Sequence, residues 1–345
     1  MQIDIKSLEP EELSDLFSEL GEKPFRAKQT FKWLHSGVKS FEEMTNLPLS
    51  LRSALEERCR ITAPRLLRKQ VSVQDGTIKY LWELEDLNTV ESVLMFYEHG
   101  CTVCISTQVG CRMGCAFCAS TLGGLVRSLS PAEMLDQVMF SGLDAGGKIS
   151  NIVLMGIGEP LDNFENVIKF LSLVNNPMGQ NIGMRHISLS TCGLAENIDK
   201  LAVYNLQLTL SVSLHAADDE TRSRLMPINK RFGVARLLES CDNYFANTGR
   251  RISYEYAMIS GVNDTVRHAE MLSRKLRGKG SHLNLILLNN VEEREFKPSS
   301  QKDIKTFTRV LDGNNINYTF RRRLGSDIDA SCGQLRRKTG NPHTP

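Results

Sequence analysis

Three different hydrophobic periods run along this chain. Over the first 65 residues apolar positions recur every three to four. Leu13, Leu16, Phe17 and Leu20 fall at i, i+3, i+4 and i+7, which predicts an amphipathic helix stopped by Gly21. Phe25, Ala27, Phe31 and Leu34 predict a second helix, carrying Arg26, Lys28 and Lys32 and ending near Gly37. Ser40, with Glu43 three residues on, has the form of a capping box and opens a third. Leu47-Pro48 breaks that helix before Leu51 to Cys59. From about 66 to 100 the period drops to two. Val71 and Val73 alternate with polar residues, Asp75-Gly76 is a strong hairpin turn, and Ile78, Tyr80 and Trp82 alternate beyond it. A third strand, Val90 to Tyr97, carries Glu91 among apolar neighbours.

From Cys101 onward short apolar strands alternate with helical segments. Strands are expected at Thr102–Ser106, Asn151–Met155, His186–Ser190, Gln207–Ser213, Ile252–Met258, His282–Leu288 and Asn317–Arg321, with helices such as Pro131–Ser141, Phe164–Val174 and Val234–Ala246 between them. Repeated strand–helix units imply a parallel sheet with right-handed crossovers. About six units and no dinucleotide fingerprint point to an α/β fold built as an incomplete (β/α)6 barrel. The helical module and the β-hairpin extension precede it. The expected division is 1–65 helical module, 66–100 hairpin extension, 101–322 partial barrel and 323–345 C-terminal loop with a basic tail.

Composition narrows the class. Charged residues make up 24% and hydrophobic ones 41%, which excludes a disordered chain. No apolar run approaches membrane-spanning length and the first residues lack a signal peptide's apolar core, so no membrane and a cytoplasmic location are expected. Nine unevenly spaced cysteines argue against a secreted disulfide framework. The net charge of +2 does not by itself mark a nucleic-acid binder. Positive charge nevertheless gathers in the C-terminal third, at Arg267 to Lys279, Arg321-Arg322-Arg323 and Arg336-Arg337-Lys338.

The candidate chemistry starts at Gly110-Cys-Arg-Met-Gly-Cys-Ala-Phe-Cys118, where Cys111, Cys115 and Cys118 form a C-x3-C-x2-C array. A structural zinc site asks for four protein ligands, and so does an ordinary iron–sulfur cube. Three thiols from one loop therefore suggest one iron kept open. The loop follows the first barrel strand, at the end where barrel chemistry gathers. Other strand ends add small polar groups. Met155-Gly-Ile-Gly-Glu-Pro160 brings Gly156, Gly158 and Glu159, with a carboxylate able to accept from an ammonium group. Ser190, Ser213-Leu214-His215 and Asn289 follow the third, fourth and sixth strands. Two further cysteines draw notice: Cys104, seven residues before the cluster, and Cys332, between small residues in a glycine-bounded loop. Cys59, Cys192, Cys241 and Cys101 read as ordinary thiols.

The array is that of the radical S-adenosylmethionine (SAM) enzymes. Taken with Val90-Glu91-Ser-Val, Cys104-Ile-Ser-Thr-Gln-Val-Gly-Cys111, Ser211-Val-Ser-Leu-His215, Met226-Pro-Ile-Asn229 and Asp327-Ile-Asp-Ala-Ser-Cys-Gly-Gln-Leu335, the chain resembles the RlmN-type dual-specificity adenine-C2 methyltransferases of 23S rRNA and tRNA. The likeness covers almost the whole length. It implies a TIM-like radical SAM barrel, one [4Fe-4S] cluster on Cys111, Cys115 and Cys118, and SAM on the fourth iron. SAM would be lined by Gly158, Glu159, Ser190, Ser213, Leu214, His215 and Asn289. It further implies Cys332 as the methyl-carrying cysteine, Cys104 as its transient disulfide partner and Glu91 as the proton acceptor, with two SAM used per methyl. The helical module would be an accessory RNA-binding domain. An electron donor such as flavodoxin or ferredoxin and a monomeric state complete the expectation.

Two departures stand out: Cys101 makes an additional C-x2-C with Cys104 and could compete as the resolving thiol, and Leu287-Leu288-Asn289-Asn290 lacks a proline that many relatives have. Rival readings are a Cfr-type adenine-C8 methyltransferase, disfavoured by Gly158-Glu-Pro160, a radical SAM enzyme of another reaction class, and a zinc-stabilised RNA-binding protein.

Overall fold

The computed structural model describes residues 2–98, 100–288, 295–330 and 335. Asn289, Cys332 and the basic run at 336–338 lie outside these residues. The chain opens with β1 (Ile3–Asp4), α1 (Pro10–Glu19), α2 (Pro24–Leu34), α3 (Leu49–Arg58) and β2 (Cys59–Arg60). β1 pairs with β2 and closes the module. Its core is the predicted apolar stripe, Leu13, Leu16 and Phe17 meeting Ala27, Phe31 and Leu34. Ser40 does form a capping box with Glu43, though over a single 3-10 turn instead of a helix. Phe25 departs from expectation: it is exposed, with the Arg26 guanidinium over its ring.

The hairpin extension comprises β3 (Arg65–Val71), β4 (Ile78–Glu83) and β5 (Thr89–Tyr97), and β6 (Gly100–Cys104) begins the barrel. A small hairpin, β7 (Gln108–Gly110) and β8 (Leu125–Ser128), flanks the cysteine loop and was not visible as an alternation. Then follow α4 (Pro131–Ala145), β9 (Ile149–Leu154), α5 (Phe164–Asn175), β10 (Ile187–Thr191), α6 (Ala195–Val203), β11 (Thr209–Ser213), α7 (Asp219–Leu225) and α8 (Val234–Thr248). The last elements are β12 (Ile252–Met258), α9 (Val266–Leu276), β13 (Ser281–Leu287), α10 (Gln301–Gly313) and β14 (Tyr318–Phe320).

Ten of these strands make one sheet, ordered β14-β13-β12-β11-β10-β9-β6-β5-β4-β3. From β6 to β14 every pairing is parallel, so six strand–helix crossovers separate seven strands. β3, β4 and β5 extend that sheet antiparallel, so the hairpin is continuous with the barrel wall. The expected helices at Pro131 and Val234 start where the sequence says but run on to Ala145 and Thr248; α4 has the Ser130–Glu133 capping box, Pro131 in its first turn and Gly146 at φ +67° after its last.

Side chains alternate across each strand. One set, including Val90, Val103, Ile152, Leu189, Leu210, Tyr254 and Leu285, is sealed against the helices in the main core. A buried bond from Lys6 to Asp136 of α4, which Thr62 Oγ1 also reaches at 3.2 Å, ties the N-terminal module to this layer. Among the described residues no helix is long and apolar enough to cross a membrane.

Candidate active site

The cysteine loop is pinned at both ends. Gly110 takes φ +79°, and a Cβ there would lie 2.0 Å from the Gly124 carbonyl oxygen, so this position must be glycine. The Cys111 N–H donates to that same carbonyl at 2.8 Å. Thr121 Oγ1 donates to the carbonyls of Cys118 (3.0 Å) and Cys115 (3.2 Å), and the Ala116 N–H donates to Leu225. Arg112 grips Asp162 with two guanidinium nitrogens. Cys111 and Cys115 are buried and Cys118 half-buried. Burial, reinforced by the Glu159 carboxylate and neighbouring thiols, pushes the Cys111 thiol up to about 12 and Cys115 higher still. Such thiols give up their protons when a cation takes their place. Among the described residues no three His, Cys, Asp or Glu side chains are grouped as the ligands of one metal ion would be.

All three thiols line a cavity of about 290 Å³ at the C-terminal ends of the parallel strands, the small end of the range for ligand pockets. Gly156, Gly158, Glu159, Ser190, Ser213 and His215 line it too. Gly156 and Gly158 let the backbone pack directly against the neighbouring segment: a Cβ would lie 2.5 Å from the Ile105 carbonyl at the first and 2.6 Å from Gln108 Cβ at the second. Gly158 also stands at φ +108°.

The Glu159 carboxylate accepts from the N–H groups of Leu161 (3.0 Å) and Cys192 (2.7 Å). Burial raises its pKa, against the pull of those donors. His215 is buried and held at φ +54°, and its Nδ1 accepts from the Ala257 N–H at 2.9 Å. The ring proton therefore sits on Nε2. Burial, helped by the Arg222 charge, pushes its pKa down to about 3, so the imidazole is neutral. Phe117 meets it edge-on with ring centroids 4.9 Å apart.

Leu214 behaves differently from its neighbours: its side chain is fully buried in the core, and it is not among the residues that line the cavity. Those strand ends are held by the buried Arg222, which donates to the carbonyls of Leu214, Cys192 and Ser213 and to Asn229 Oδ1. This accounts for Asn229 in the Met226-Pro-Ile-Asn motif.

Cys104 and Glu91 do not line that cavity. Cys104, at the end of β6, is buried, and in register it lies across from Val93. Glu91 is not among apolar neighbours alone: Lys79 Nζ donates to its carboxylate at 2.6 Å, and both side chains are buried. Cys101 packs against the main apolar core, which Cys104 does not join. The two thiols therefore occupy different surroundings.

Three residues on the cavity wall escaped the sequence reading. Cys192, which reads as an ordinary thiol, lines the cavity beside Glu159. Glu255, in β12, accepts from Asn284 Nδ2 (2.8 Å) and Ser253 Oγ (3.2 Å), and burial raises its pKa. Arg321, just past β14, closes the same wall, so this part of the basic run is not simply a solvated face. The available signal was positional: each sits at or near the C-terminal end of a parallel strand, or on its polar alternation.

Comparison with known proteins agrees with this geometry. Residues 3–61 match the ribosomal RNA large subunit methyltransferase N-terminal domain, and residues 105–272 match the radical SAM superfamily. The probable dual-specificity RNA methyltransferase RlmN of Alkaliphilus metalliredigens is 51% identical over 98% of this chain and 96% of its own length. The chain belongs to the RlmN family. The Clostridium tetani relative of the same name is 48% identical over 97% of this chain and 96% of its own. A radical SAM methyltransferase from Sphaerobacter thermophilus superposes with a TM-score of 0.91 at 39% identity, covering 96% of this chain and 98% of that one.

RlmN proteins, as radical SAM enzymes, use a [4Fe-4S] cluster and SAM, and the residues present fit both groups. The donor set is three thiols lining one cavity, Gly156, Gly158 and Glu159 line it with them, and Ser120 Oγ in the same lining is buried without a hydrogen-bond partner among the described residues.

Proposed function

We propose that this RNA methyltransferase acts on C2 of an adenine in 23S rRNA and of the adenosine 3′ of the anticodon in some tRNAs. The observation that carries the reading is the convergence of three cluster thiols with Gly158, Glu159, Ser190, Ser213 and His215 on one cavity, in a chain of the RlmN family. C2 lies between two electron-withdrawing nitrogens and is no nucleophile, so polar methylation from SAM has no partner there. When bound, the cluster supplies the electron that splits SAM and yields a radical able to take hydrogen from an unactivated methyl group.

The chain's own residues then divide the work. Cys111, Cys115 and Cys118 hold the cluster and leave one iron for SAM. Gly158, Glu159, Ser190, Ser213, the backbone of Leu214, His215 and Asn289 bind and orient SAM. Neutral His215 contributes an Nε2–H donor, and Glu255 and Arg321 add an acceptor and a cation on the same wall. Cys332 accepts a methyl group from a first SAM as a thiolate nucleophile. With the carbon of the S-methyl group, less one hydrogen, already bonded to C2, Cys104 attacks the sulfur of Cys332: the sulfur–sulfur bond forms, the carbon–sulfur bond breaks, the carbon stays on C2 and takes up a proton, and a reductant reopens the disulfide. Glu91, oriented by Lys79, takes the C2 proton.

The target base enters out of its stack, with residues 1–65 as an RNA-binding accessory domain, 66–100 as the extension, 101–322 as the barrel and 323–345 carrying the methyl-bearing loop. A one-electron donor of the flavodoxin or ferredoxin type, a monomeric state and a cytoplasmic location belong to the same reading.

The test is anaerobic reconstitution with iron and sulfide, a reductant, methyl-labelled SAM and rRNA fragments or tRNA. The nucleosides are then analysed by mass spectrometry against authentic standards. Labelled 2-methyladenosine is expected. Label in 8-methyladenosine would move the chain to the C8 branch, and zinc in place of iron with no transfer would refute the radical reading.

A further inference from the structure

Beyond β14 the chain turns back onto the opposite edge of the sheet. Residues 325–330 are bonded to the turn between β3 and β4, some 250 positions earlier. The Gly325 N–H donates to Asp75 Oδ2 at 2.8 Å, and Ser326 Oγ donates to Gln74 Oε1 at 2.8 Å. Asp327 receives Ser72 Oγ at 2.6 Å and the Val73 N–H at 2.9 Å. Gln70 meets Asp329 twice, accepting from its N–H at 3.2 Å and donating to Oδ2 at 3.3 Å. Gly325 is left-handed at φ +61°, and a Cβ there would lie 2.7 Å from Ala330 Cβ and 3.2 Å from Thr77 Cγ2. The two aspartates that precede Cys332 in sequence are thus engaged by the hairpin.

The register gives this contact a direction. Gln70 pairs with Lys79, Lys79 with Val93, and Val93 with Cys104. The anchor for Asp329 therefore lies on the same transverse row as Cys104, three strand steps or roughly 14 Å away along the curved sheet. Position 332 is three residues beyond Asp329, a reach of about 10 Å.

We propose that Gln70, Ser72 and Asp75 are positioning residues for the methyl-bearing cysteine: they fasten Gly325 to Asp329 to the sheet, which limits how far from this edge the thiol three positions on can work. The proposal rests on the reading of Cys332 as the methyl acceptor. Ser72 and Asp75 also cap the turn itself through the N–H groups of Gln74, Asp75 and Thr77. The decisive variants are therefore on the other side, Asp327→Ala and Gly325→Ala.

Two measurements on the reconstituted full chain test it: amide hydrogen exchange of peptides covering 325–330, and the rate at which labelled methyl from SAM appears on Cys332 in tryptic peptides. Protection of the Gly325 and Asp329 amides in the unaltered chain, and its loss by about tenfold or more in both variants, are expected. Labelling of Cys332 should slow by about tenfold with the KM for SAM unchanged, and Asp327→Asn, which keeps one acceptor, should recover most of the rate. The proposal is overturned if those amides exchange in the unaltered chain as fast as in an unstructured peptide. It is equally overturned if the variants lose protection yet label Cys332 at the unaltered rate. Label missing from Cys332 in the unaltered chain, with the amides still protected, is the separate failure of the methyl-acceptor reading, and it removes the positioning role with it.

Discussion

The two faces of the ten-stranded sheet are written by alternate residues of the same strands, yet they carry different kinds of chemistry. Toward the helices stand Val103, Leu189, Leu210, Tyr254 and Leu285, all buried in one apolar core. On the other alternation stand Glu91, Cys104, Ser190, Ser213, Glu255 and Asn284. An apolar outer face supplies the stability that allows the inner face to collect carboxylates, hydroxyls and thiols, which are costly to bury unless bonded. The inner groups are accordingly bonded to one another, as with Asn284 to Glu255 and Lys79 to Glu91. Substitutions on the first face should act through folding, and those on the second through binding and chemistry.

The largest effect expected is at the cluster. Replacing Cys111, Cys115 or Cys118 with Ala should reduce bound iron and sulfide to background and abolish methyl transfer, with the far-ultraviolet circular dichroism unchanged. Retained chromophore in any one of them would remove that residue from the ligand set. Next comes the one place where the division should fail. Lys79→Met leaves Glu91 buried without its cation, at a cost of about 3–5 kcal/mol. The double variant Lys79→Met/Glu91→Leu should recover much of that stability while staying inactive, read by denaturant unfolding beside the methyl assay. On the outer face, Leu210→Ala should cost about 2–5 kcal/mol by opening a cavity and leave SAM affinity as it was. Glu255→Gln should do the reverse, weakening SAM binding by about tenfold with stability changed by less than ~1 kcal/mol.

The smallest effect is a pH dependence. His215 has its pKa pushed from 6.5 down to about 3 by burial. Between those values the unfolded chain binds a proton that the folded chain does not, so stability is full above about 6.5 and falls as the pH drops. His35, pushed down to about 4 by burial, acts in the same sense, and Asp4, raised by burial to about 6, acts in the opposite one. The His215 share is therefore the difference between the unaltered chain and His215→Gln, whose stability should fall less steeply between pH 6.5 and 4.5. Equal slopes would show that the imidazole is not held neutral.

Most of the parallel half was legible from the chain itself, because its strands are short, largely apolar runs that alternate with helical periods. The cluster loop was legible for another reason, since three thiols at fixed spacing need no tertiary information. What could not be read were the pairings across distant segments. Lys79 sits in a strand whose alternation predicts only that it points away from Tyr80, and nothing local announces Glu91 as its partner. Glu255 and Cys192 carry no local signal of the cavity they line, which forms only where the strands lie side by side. Asp327 and Asp329 find their partners, Ser72, Val73 and Gln70, on the far edge of the sheet.

The most direct measurement is paramagnetic resonance of the reduced, anaerobically reconstituted chain, recorded with and without SAM. If the three thiols leave one iron open into the cavity lined by Glu159 and His215, SAM should shift the spectrum of the reduced cluster, and the shift should be lost when Glu159 is replaced by Gln at SAM concentrations that saturate the unaltered chain. A spectrum indifferent to SAM would contradict the account.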